Sequence, residues 1–241
     1  MNDFQPDNLL NVTQFDKKTA LTEKIISIAV NILIIIMALL LIMYVAVEPL
    51  NISGASMEPG IHDGDEIVIN KFYFNPARGD VIVIKSDKTS GTRIIKRVIA
   101  VEGDKIGFAK NKSGDNDVIF LYLDTGDGNG FTRINEPYIN GFMTESNSEI
   151  FKEFPVADSY DDMLQNKIYV TVGKNRFVAL GDNRNISRDS RYYGQFSCSF
   201  FSSDIVGKKI ADIKEGSFLD KFFSFFYQKS DTVNNKHQGE F

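Results

Sequence analysis

The chemistry that this chain could perform is suggested first by a serine among small residues. Ser56 lies in the sequence Ile-Ser-Gly-Ala-Ser-Met-Glu-Pro at residues 52–59, and its small neighbours and the following proline predict a tight, exposed turn. A serine hydroxyl becomes an effective nucleophile when a nearby base removes its proton. Serine and glycine are also ordinary turn residues, so this segment alone indicates no more than a turn.

A lysine in an apolar strand pattern could supply that base. Residues 93–99 read Arg-Ile-Ile-Lys-Arg-Val-Ile, which on a β-strand places Lys96 on one face with Ile94 and Val98. Burial among apolar side chains shifts an amine towards its neutral form, which can accept a proton. Taken by itself, the segment favours a different interpretation, an edge-strand lysine that deters aggregation.

A third segment, residues 180–194, is dense in Asp, Asn, Arg and Ser. Its arginines could clamp carboxylates through paired hydrogen bonds and so build a structured polar loop. A salt-bridged, solvated turn explains the same composition, and the segment alone does not separate the two. His62 is a rival base because it lies close to Ser56 in the sequence, but its Ile-His-Asp-Gly context predicts a surface residue of a turn.

Composition argues against several other kinds of site. The 241 residues include one cysteine, Cys198, and two histidines, His62 and His237. These are too few for an internal disulfide, a multi-cysteine zinc site or a histidine-rich metal cage. The net charge of -5 at pH 7 disfavours a nucleic-acid binder, because phosphate contacts need concentrated Lys and Arg. We therefore expect no metal, no cofactor and no nucleic-acid partner.

An uninterrupted apolar segment precedes these motifs. Residues 25–47 contain no charged residue, Pro or Gly, and as a helix of about 23 residues they would reach roughly 34 Å, enough for a hydrocarbon core of about 30 Å. A buried core helix is rarely so uniformly apolar, and the apolar region of a cleaved secretory signal is shorter. Residues 48–70 contain no Lys or Arg, whereas the segment is preceded by Lys17, Lys18 and Lys24. The positive-inside bias therefore predicts residues 1–24 in the cytoplasm and the rest of the chain outside.

Short β-branched runs separated by turn residues follow the apolar segment. They lie at residues 66–70, 80–85, 93–101, 167–172 and 176–180. This pattern predicts a mostly β domain at residues 48–229, with an inserted region at about 107–166. Within the inserted region, the polar stretch 111–130 predicts a surface loop or hairpin.

The end of the chain combines an aromatic cluster with a polar tail. Residues 230–241 predict a polar, frayed tail. The cluster either completes the core as a strand or helix, or rests in the lipid interface, where aromatic side chains settle favourably. Its members are Phe218, Phe222, Phe223, Phe225, Phe226 and Tyr227.

Together, the three polar segments resemble the bacterial type I signal peptidases, membrane-bound serine proteases that use a Ser/Lys dyad. The resemblance covers residues 25–208 and includes the order of the motifs and the preceding apolar segment. It implies a β domain of antiparallel sheets. The matching motifs are Ser-Met-Glu-Pro at 56–59, Gly64-Asp65 with Lys71, Lys96-Arg97, Gly103-Asp104, Tyr138-Ile-Asn-Gly141, and the run from Gly181-Asp-Asn-Arg through Ser187-Arg-Asp-Ser-Arg191 to Gly194.

The resemblance implies a role for each matching polar residue. Ser56 corresponds to the nucleophile and Lys96 to its general base. Ser187 corresponds to the hydroxyl that holds the lysine amine in place. Asp189 and Arg191 correspond to the pair that braces the site. Arg97 follows the base, as the corresponding residue does in relatives.

The resemblance also indicates how substrate and oxyanion would be held. Apolar residues that line shallow pockets for substrate side chains correspond to Ile52, Ile61 and Ile95. Gly54 stands where some relatives have a serine whose hydroxyl helps to form the oxyanion hole. Stabilisation of the oxyanion would then depend on the backbone N–H of Ser56.

The implied activity is removal of N-terminal signal peptides from secreted precursors that emerge from the secretion machinery, by cleavage after small residues in Ala-X-Ala sequences. The lipid bilayer would be the second partner. A lysine base, where relatives of the eukaryotic endoplasmic reticulum use histidine, implies a bacterial cell membrane protein with single-pass type II topology. Two other classes stay open. A self-cleaving repressor-type protease would carry a DNA-binding module instead of an anchor, and a non-catalytic tethered β module would not need both Ser56 and Lys96.

Overall fold

The computed structural model describes residues 7–73, 75–113, 116–139, 141–144, 150–151, 154–193, 199–226 and 232–234. The chain divides into two compact units, Met1–Ala46 and Val47–Phe241. The first unit contains one helix, and the second contains two β-sheets with short helices.

The helix of the first unit is α1, Asp7–Ala46. It contains neither Gly nor Pro, the residues that most disfavour a helix, and it ends shortly before Pro49, whose preceding residue is restricted to extended conformations. Its part Thr19–Ala46, 28 residues, is long and apolar enough to cross a membrane. The segment predicted at residues 25–47 lies within α1 except for Val47, which begins the first strand.

The second unit is mostly β. Its strands are β1 (Val47–Ser53), β2 (Glu66–Asn70), β3 (Val81–Lys85), β4 (Arg93–Val101), β5 (Lys105–Ser113), β6 (Asn116–Asp124), β7 (Thr132–Arg133), β8 (Met143–Thr144), β9 (Val156–Ala157), β10 (Val170–Thr171), β11 (Arg176–Leu180), β12 (Phe200–Phe201), β13 (Ile205–Ile213) and β14 (Thr232–Asn234). Its α-helices are α2 (Tyr160–Gln165), α3 (Ser190–Tyr193) and α4 (Phe218–Phe226). Single 3-10 turns lie at Asp87–Thr89 and Ser202–Asp204.

The larger sheet has eight strands in the order β12-β11-β4-β3-β13-β2-β1-β14. Its neighbours are antiparallel, except for the parallel pair β1 and β14. The predicted runs 66–70, 93–101 and 176–180 coincide with β2, β4 and β11. Because β4 pairs with β3 on one side and with β11 on the other, the interpretation of Lys96 as an edge-strand lysine is wrong.

The smaller sheet follows the order β10-β5-β6-β7, with β9 beside β5 and β8 beside β6. The long hairpin of β5 and β6 pairs Lys105 with Asp124 at its base. The polar stretch 111–130 therefore contains the end of β5, the whole of β6 and the turn that follows it. A hairpin was one of the two forms predicted, but β6 is not confined to the surface, because its Ile119 and Leu121 are buried in the core. Of the run predicted at residues 167–172, only β10 is a strand.

Strand β4 is the part of the second unit that joins the hydrophobic clusters. Ile99 packs into a cluster shared with β5, β6 and β11, and Ile95 packs into a second cluster with residues of β1, β2 and β3. Ile94 and Val98 pack into a third with β3, β11 and β12. A strand packed in this way has little freedom to move, so it holds Lys96 in a fixed place.

The C-terminal region departs from the predicted frayed tail. Residues 232–234 form β14 along the edge of β1, while residues 230, 231 and 235–241 lie outside the described residues. An open strand edge offers unpaired backbone N–H and C=O groups to any extended segment, and this backbone pairing does not depend on the polar composition that suggested fraying.

The aromatic cluster lies on α4 for the part that is described. Phe223 is buried, in agreement with the core interpretation, whereas Phe218 is 78% exposed, as the lipid interpretation requires. Contact of Phe218 with lipid stays a prediction. Tyr227 lies outside the described residues.

Candidate active site

The turn that carries Ser56 begins where β1 ends. Gly54 has φ of 96°, a left-handed conformation that favours glycine, and its N–H donates to Asp63 Oδ1 at 2.7 Å. The carbonyl of Ser56 accepts a hydrogen bond from the N–H of Asn183 at 3.0 Å. The nucleophile candidate is therefore fixed by its backbone on both sides, and the Gly54 N–H is already committed to Asp63.

The structure brings Lys96 and Ser56 together. The lysine Nζ donates to Ser56 Oγ at 2.8 Å and to the carbonyl of Ile95 at 2.8 Å. Ser56 has no exposed surface, and Lys96 is 1% exposed. Among the described residues Lys96 takes part in no ion pair. An amine in this position is within reach of the serine proton and has no carboxylate bound to it.

Burial lowers the pKa of Lys96 from 10.5 to about 8. The nearby charges contribute less than burial does: Asp189 and Asp182 raise the pKa, and Arg191 lowers it. At pH 7 about one amine in ten is then neutral, compared with about one in 2,500 for a solvated lysine. The environment therefore removes most of the free-energy cost of providing a neutral base.

Asp189 and Arg191 form a buried ion pair on the other side of the site. Arg191 Nε donates to Asp189 Oδ1 at 2.9 Å, and Nη2 donates to Oδ2 at 2.7 Å, with neither residue exposed. Burial raises the pKa of Asp189, but the charge and hydrogen bonds of Arg191 outweigh burial and hold the pKa below its ordinary value. The N–H of Gly181 also donates to Asp189 Oδ2 at 3.0 Å. The pair thus fastens the two ends of the polar loop, as a bracing role requires.

Ser187 differs from what the resemblance implies. Its Oγ is buried and has no hydrogen-bond partner among the described residues, so the implied hydrogen bond to the lysine amine is absent from this structure. The amine donates instead to Ser56 Oγ and to the Ile95 carbonyl. Ser187 nevertheless packs against Gly181, opposite the carbonyl of Ser56, so it lies beside the site.

A second ion pair ties the base strand to the polar loop. Arg97 Nε donates to Asp182 Oδ1 at 2.8 Å, and Nη2 donates to Oδ2 at 2.6 Å. The Arg97 guanidinium lies 4.2 Å from the ring centroid of Tyr138. Because Arg97 directly follows Lys96, this bidentate pair fixes the loop relative to the base.

Sequence reasoning assigned no role to four residues of this network. Arg184 pairs with Glu136 at 2.6 Å, and the hydroxyl of Tyr138 donates to Glu136 Oε1 at 2.9 Å. Asp182 and Arg184 lie in the polar segment that drew attention, so their composition gave a signal. Tyr138 lies in the matched motif Tyr138-Ile-Asn-Gly141, whereas Glu136 lies outside every matched motif, far from the loop in sequence, and nothing local marks it.

The remaining candidates lie close to the Ser56 turn or on the surface. Three of them were assigned to substrate pockets and are buried in one hydrophobic cluster beside the turn: Ile52, Ile61 and Ile95. Their lining of a pocket stays a prediction. His62 is exposed and lies 3.6 Å from Asp65, which agrees with the predicted surface turn. Among the described residues, no group of three or more His, Cys, Asp or Glu could hold a metal ion.

Comparison with known proteins places the chain in a family. The model of the family described as signal peptidase, peptidase S26, matches residues 25–212. Signal peptidase IB of Staphylococcus aureus is 31% identical over 79% of this chain and 88% of its own length. Signal peptidase I of Bacillus amyloliquefaciens is 31% identical over 66% of this chain and 72% of its own. A solved signal peptidase I from Enterococcus faecalis is 22% identical, with a TM-score of 0.31 over 56% of this chain and 96% of that one. The chain belongs to the peptidase S26 family of signal peptidases.

Proposed function

We propose that the chain is a membrane-anchored serine endopeptidase that removes signal peptides from secreted precursors, with Ser56 as nucleophile and Lys96 as general base. The observation that carries the proposal is the 2.8 Å distance between Lys96 Nζ and Ser56 Oγ, in surroundings that lower the lysine pKa to about 8. Membership of the signal peptidase family supplies the substrate class.

The reaction follows from this geometry. Neutral Lys96 takes the proton of Ser56 Oγ while the oxygen attacks the scissile carbonyl, and the ammonium then returns a proton to the leaving amine. Water hydrolyses the acyl-enzyme by the same route. The negative oxygen of each tetrahedral intermediate needs a donor, for which the Ser56 N–H is the candidate. Gly54 cannot contribute its N–H without breaking its bond to Asp63.

The surrounding ion pairs act as positioning groups in this proposal. Asp189 and Arg191 brace the loop whose Asn183 N–H holds the Ser56 carbonyl. Arg97, paired with Asp182, fixes the same loop to the base strand. An error of about 1 Å in the relative placement of nucleophile and base can cost about a hundredfold in rate. Rigid pairs on both sides of the dyad therefore protect catalysis.

The topology and the cleavage preference are part of the same proposal. Residues 1–24 lie in the cytoplasm of a bacterium, α1 crosses the cell membrane in type II orientation, and residues 48–229 form the extracytoplasmic domain, with 107–166 inserted in it and 230–241 as its tail. The substrate is presented at the membrane by the secretion machinery. Shallow apolar pockets formed with Ile52, Ile61 and Ile95 accept Ala-like side chains one and three residues before the cut.

The test is cleavage of a signal-bearing precursor by the detergent-purified full chain, followed by N-terminal sequencing of the product. We expect a single new N-terminus after an Ala-X-Ala sequence. Ser56→Ala, folded and membrane-bound, is expected to leave the precursor intact. A product formed equally by the Ser56→Ala protein would contradict the assignment of the nucleophile, and no product from the unaltered protein would contradict the function.

A further inference from the structure

The outer edge of β1 is covered by the C-terminal strand of the same chain. β14 runs parallel to β1, with Asn51 opposite Thr232, Ile52 opposite Val233 and Ser53 opposite Asn234. The other edge of β1 is paired with β2. The tail therefore occupies the edge at which an added strand could pair with β1.

This edge lies beside both halves of the proposed dyad. β1 ends at Ser53, and the turn that begins there carries Ser56. Cα atoms of β14 also lie within 8 Å of Cα atoms of β4, the strand that carries Lys96. A short extended segment thus lies alongside the nucleophile strand and close to the base strand.

The structure is closed around the reacting groups. Ser56 has no exposed surface and Lys96 is 1% exposed, whereas a scissile carbonyl must come within about 3.5 Å of the attacking oxygen. Some part of the cover has to leave before a substrate can react. β14 is a terminal segment whose pairing with the sheet involves three residues of β1, so it can be displaced without disturbing another strand pair.

We propose that residues 232–234 are an internal ligand of the edge of β1, where they compete with the extended substrate peptide. The proposal rests on the proposed function. Backbone pairing along a strand edge recognises any extended segment, and pockets for alternate side chains supply the selectivity. Thr232, Val233 and Asn234 include no Ala, Gly or Ser, so the tail can pair with the edge and still be a poor match to a preference for small residues at the cut.

Steady-state kinetics of a variant that ends at Ser230 test the competition. A tethered segment has an effective concentration of about a millimolar, so its removal should lower KM for a precursor about three- to tenfold. The value of kcat should not change, because the tail and the substrate exclude each other. Equal KM values for the full chain and the truncated chain would overturn the proposal, and so would release of the tail during incubation, because a cleaved tail is a substrate.

A double substitution gives the same test without shortening the chain. The paired substitution Thr232→Pro with Val233→Pro removes the backbone N–H groups of two successive residues, which point to opposite sides of a strand, so one of the two is lost from the side that faces β1. It should lower KM as truncation does, whereas the matched change His237→Pro, beyond the described strand, should leave KM unaltered. Identical KM values for the two proline variants would contradict the proposal.

A binding measurement separates this proposal from the proposed function. A fluorescent peptide of residues 228–241 is titrated into Ser56→Ala protein, either full-length or ending at Ser230. We expect saturable binding to the shortened protein and at least threefold weaker binding to the full chain. This binding result would support the occupation of the β1 edge by the tail even if neither active form cleaved a precursor. A failure to cleave would overturn the proposed function but not the occupation of the edge. Equal binding, or none to the shortened protein, would overturn the occupied edge.

Discussion

Two buried cations in the candidate active site are stabilised in opposite ways. Arg191 has no exposed surface and is held by a bidentate bond to Asp189. Lys96 is almost as deeply buried, but it donates to a hydroxyl and a carbonyl and takes part in no ion pair with the described residues. One cation is kept charged by a carboxylate, and the other is left in surroundings that favour the loss of its proton.

The difference follows from what each residue type can do. A guanidinium keeps its proton in any protein environment, so its burial requires a partner. An ammonium can escape the cost of burial by becoming neutral. The ion pairs that brace the candidate site therefore use arginine, and the position proposed to react uses lysine.

The largest test of this comparison exchanges the cation type at the reacting position. Lys96→Arg should reduce precursor cleavage about a thousandfold or more, because a guanidinium cannot become a base near pH 7. Cleavage is measured on the purified, folded protein. Lys105→Arg, at a lysine that is 42% exposed and paired with Asp124, serves as the matched control and should retain activity. Retained cleavage by Lys96→Arg would refute the role of the base.

The next test removes the partner from one of these bracing ion pairs. Asp189→Asn leaves Arg191 buried without its counter-charge, and breaking a buried pair in this way costs about 3–5 kcal/mol. Chemical denaturation at pH 7 measures the loss in the free energy of unfolding. Asp212→Asn is the comparison, because Asp212, which pairs with Lys209, is 55% exposed, and a loss of less than about 1 kcal/mol is expected there.

A third test disturbs the contact between the polar loop at Gly181 and the Ser56 turn without altering any charge. A Cβ at Gly181 would lie 2.5 Å from the carbonyl oxygen of Ser56. Gly181→Ala should therefore lower stability by about 1–3 kcal/mol and reduce activity about a hundredfold through misplacement of the nucleophile. At Gly60 the nearest atoms would lie at 3.8 and 3.9 Å, so Gly60→Ala should change both quantities little. Equal effects of the two substitutions would show that the close packing at Gly181 is unimportant.

A fourth test asks what the unpaired cation costs the fold. The lowered pKa of Lys96 corresponds to a penalty of about 3 kcal/mol at pH 7. This penalty is complete below pH 8 and disappears as the pH rises through the unfolded pKa near 10.5. Lys96→Met removes the penalty but loses two hydrogen bonds worth about 1 kcal/mol each, so it should raise stability by about 1 kcal/mol at pH 7. Denaturation at pH 7 and pH 10.5 should show that the gain is confined to the lower pH.

The smallest test follows the protonation of Lys96 in the rate. The value of kcat/KM should rise with pH through a midpoint near 8, since the neutral amine is the reacting form. Asp182→Asn removes a charge that raises the lysine pKa and leaves Arg97 unpaired nearby, so the midpoint should move slightly downwards. An upward shift would contradict the electrostatic account of the site.

Patterns in consecutive residues predicted several strands of the larger sheet. β2, β4 and β11 were predicted to the residue because β-branched runs bounded by turn residues specify strands. Strands of two residues, such as β7 and β8, have no periodicity to detect, and they exist through pairing with β6. The pairing of β14 with β1 likewise depends on an edge that the sequence does not display.

The candidate site shows the same division. The roles of Ser56, Lys96, Asp189 and Arg191 were predicted through the resemblance that their motifs carry together, and the structure brings Ser56 to Lys96 and Asp189 to Arg191. Glu136 enters the site through a partner 48 residues away, a contact that no local pattern encodes. Ser187 was found, but its bond was not predicted correctly, because orientation within a buried loop depends on tertiary packing.

The direct succession of α1 and β1 determines where the molecule can be divided. Helix α1 ends at Ala46, and β1 begins at Val47, so no spacer separates the apolar helix from a strand paired with β2. A soluble fragment must therefore keep Val47 as its first residue or retain part of the helix. A cut a few residues later would remove part of the strand that pairs with β2 and leads to the Ser56 turn. The starting residue of a fragment prepared without detergent can therefore be varied by very few positions.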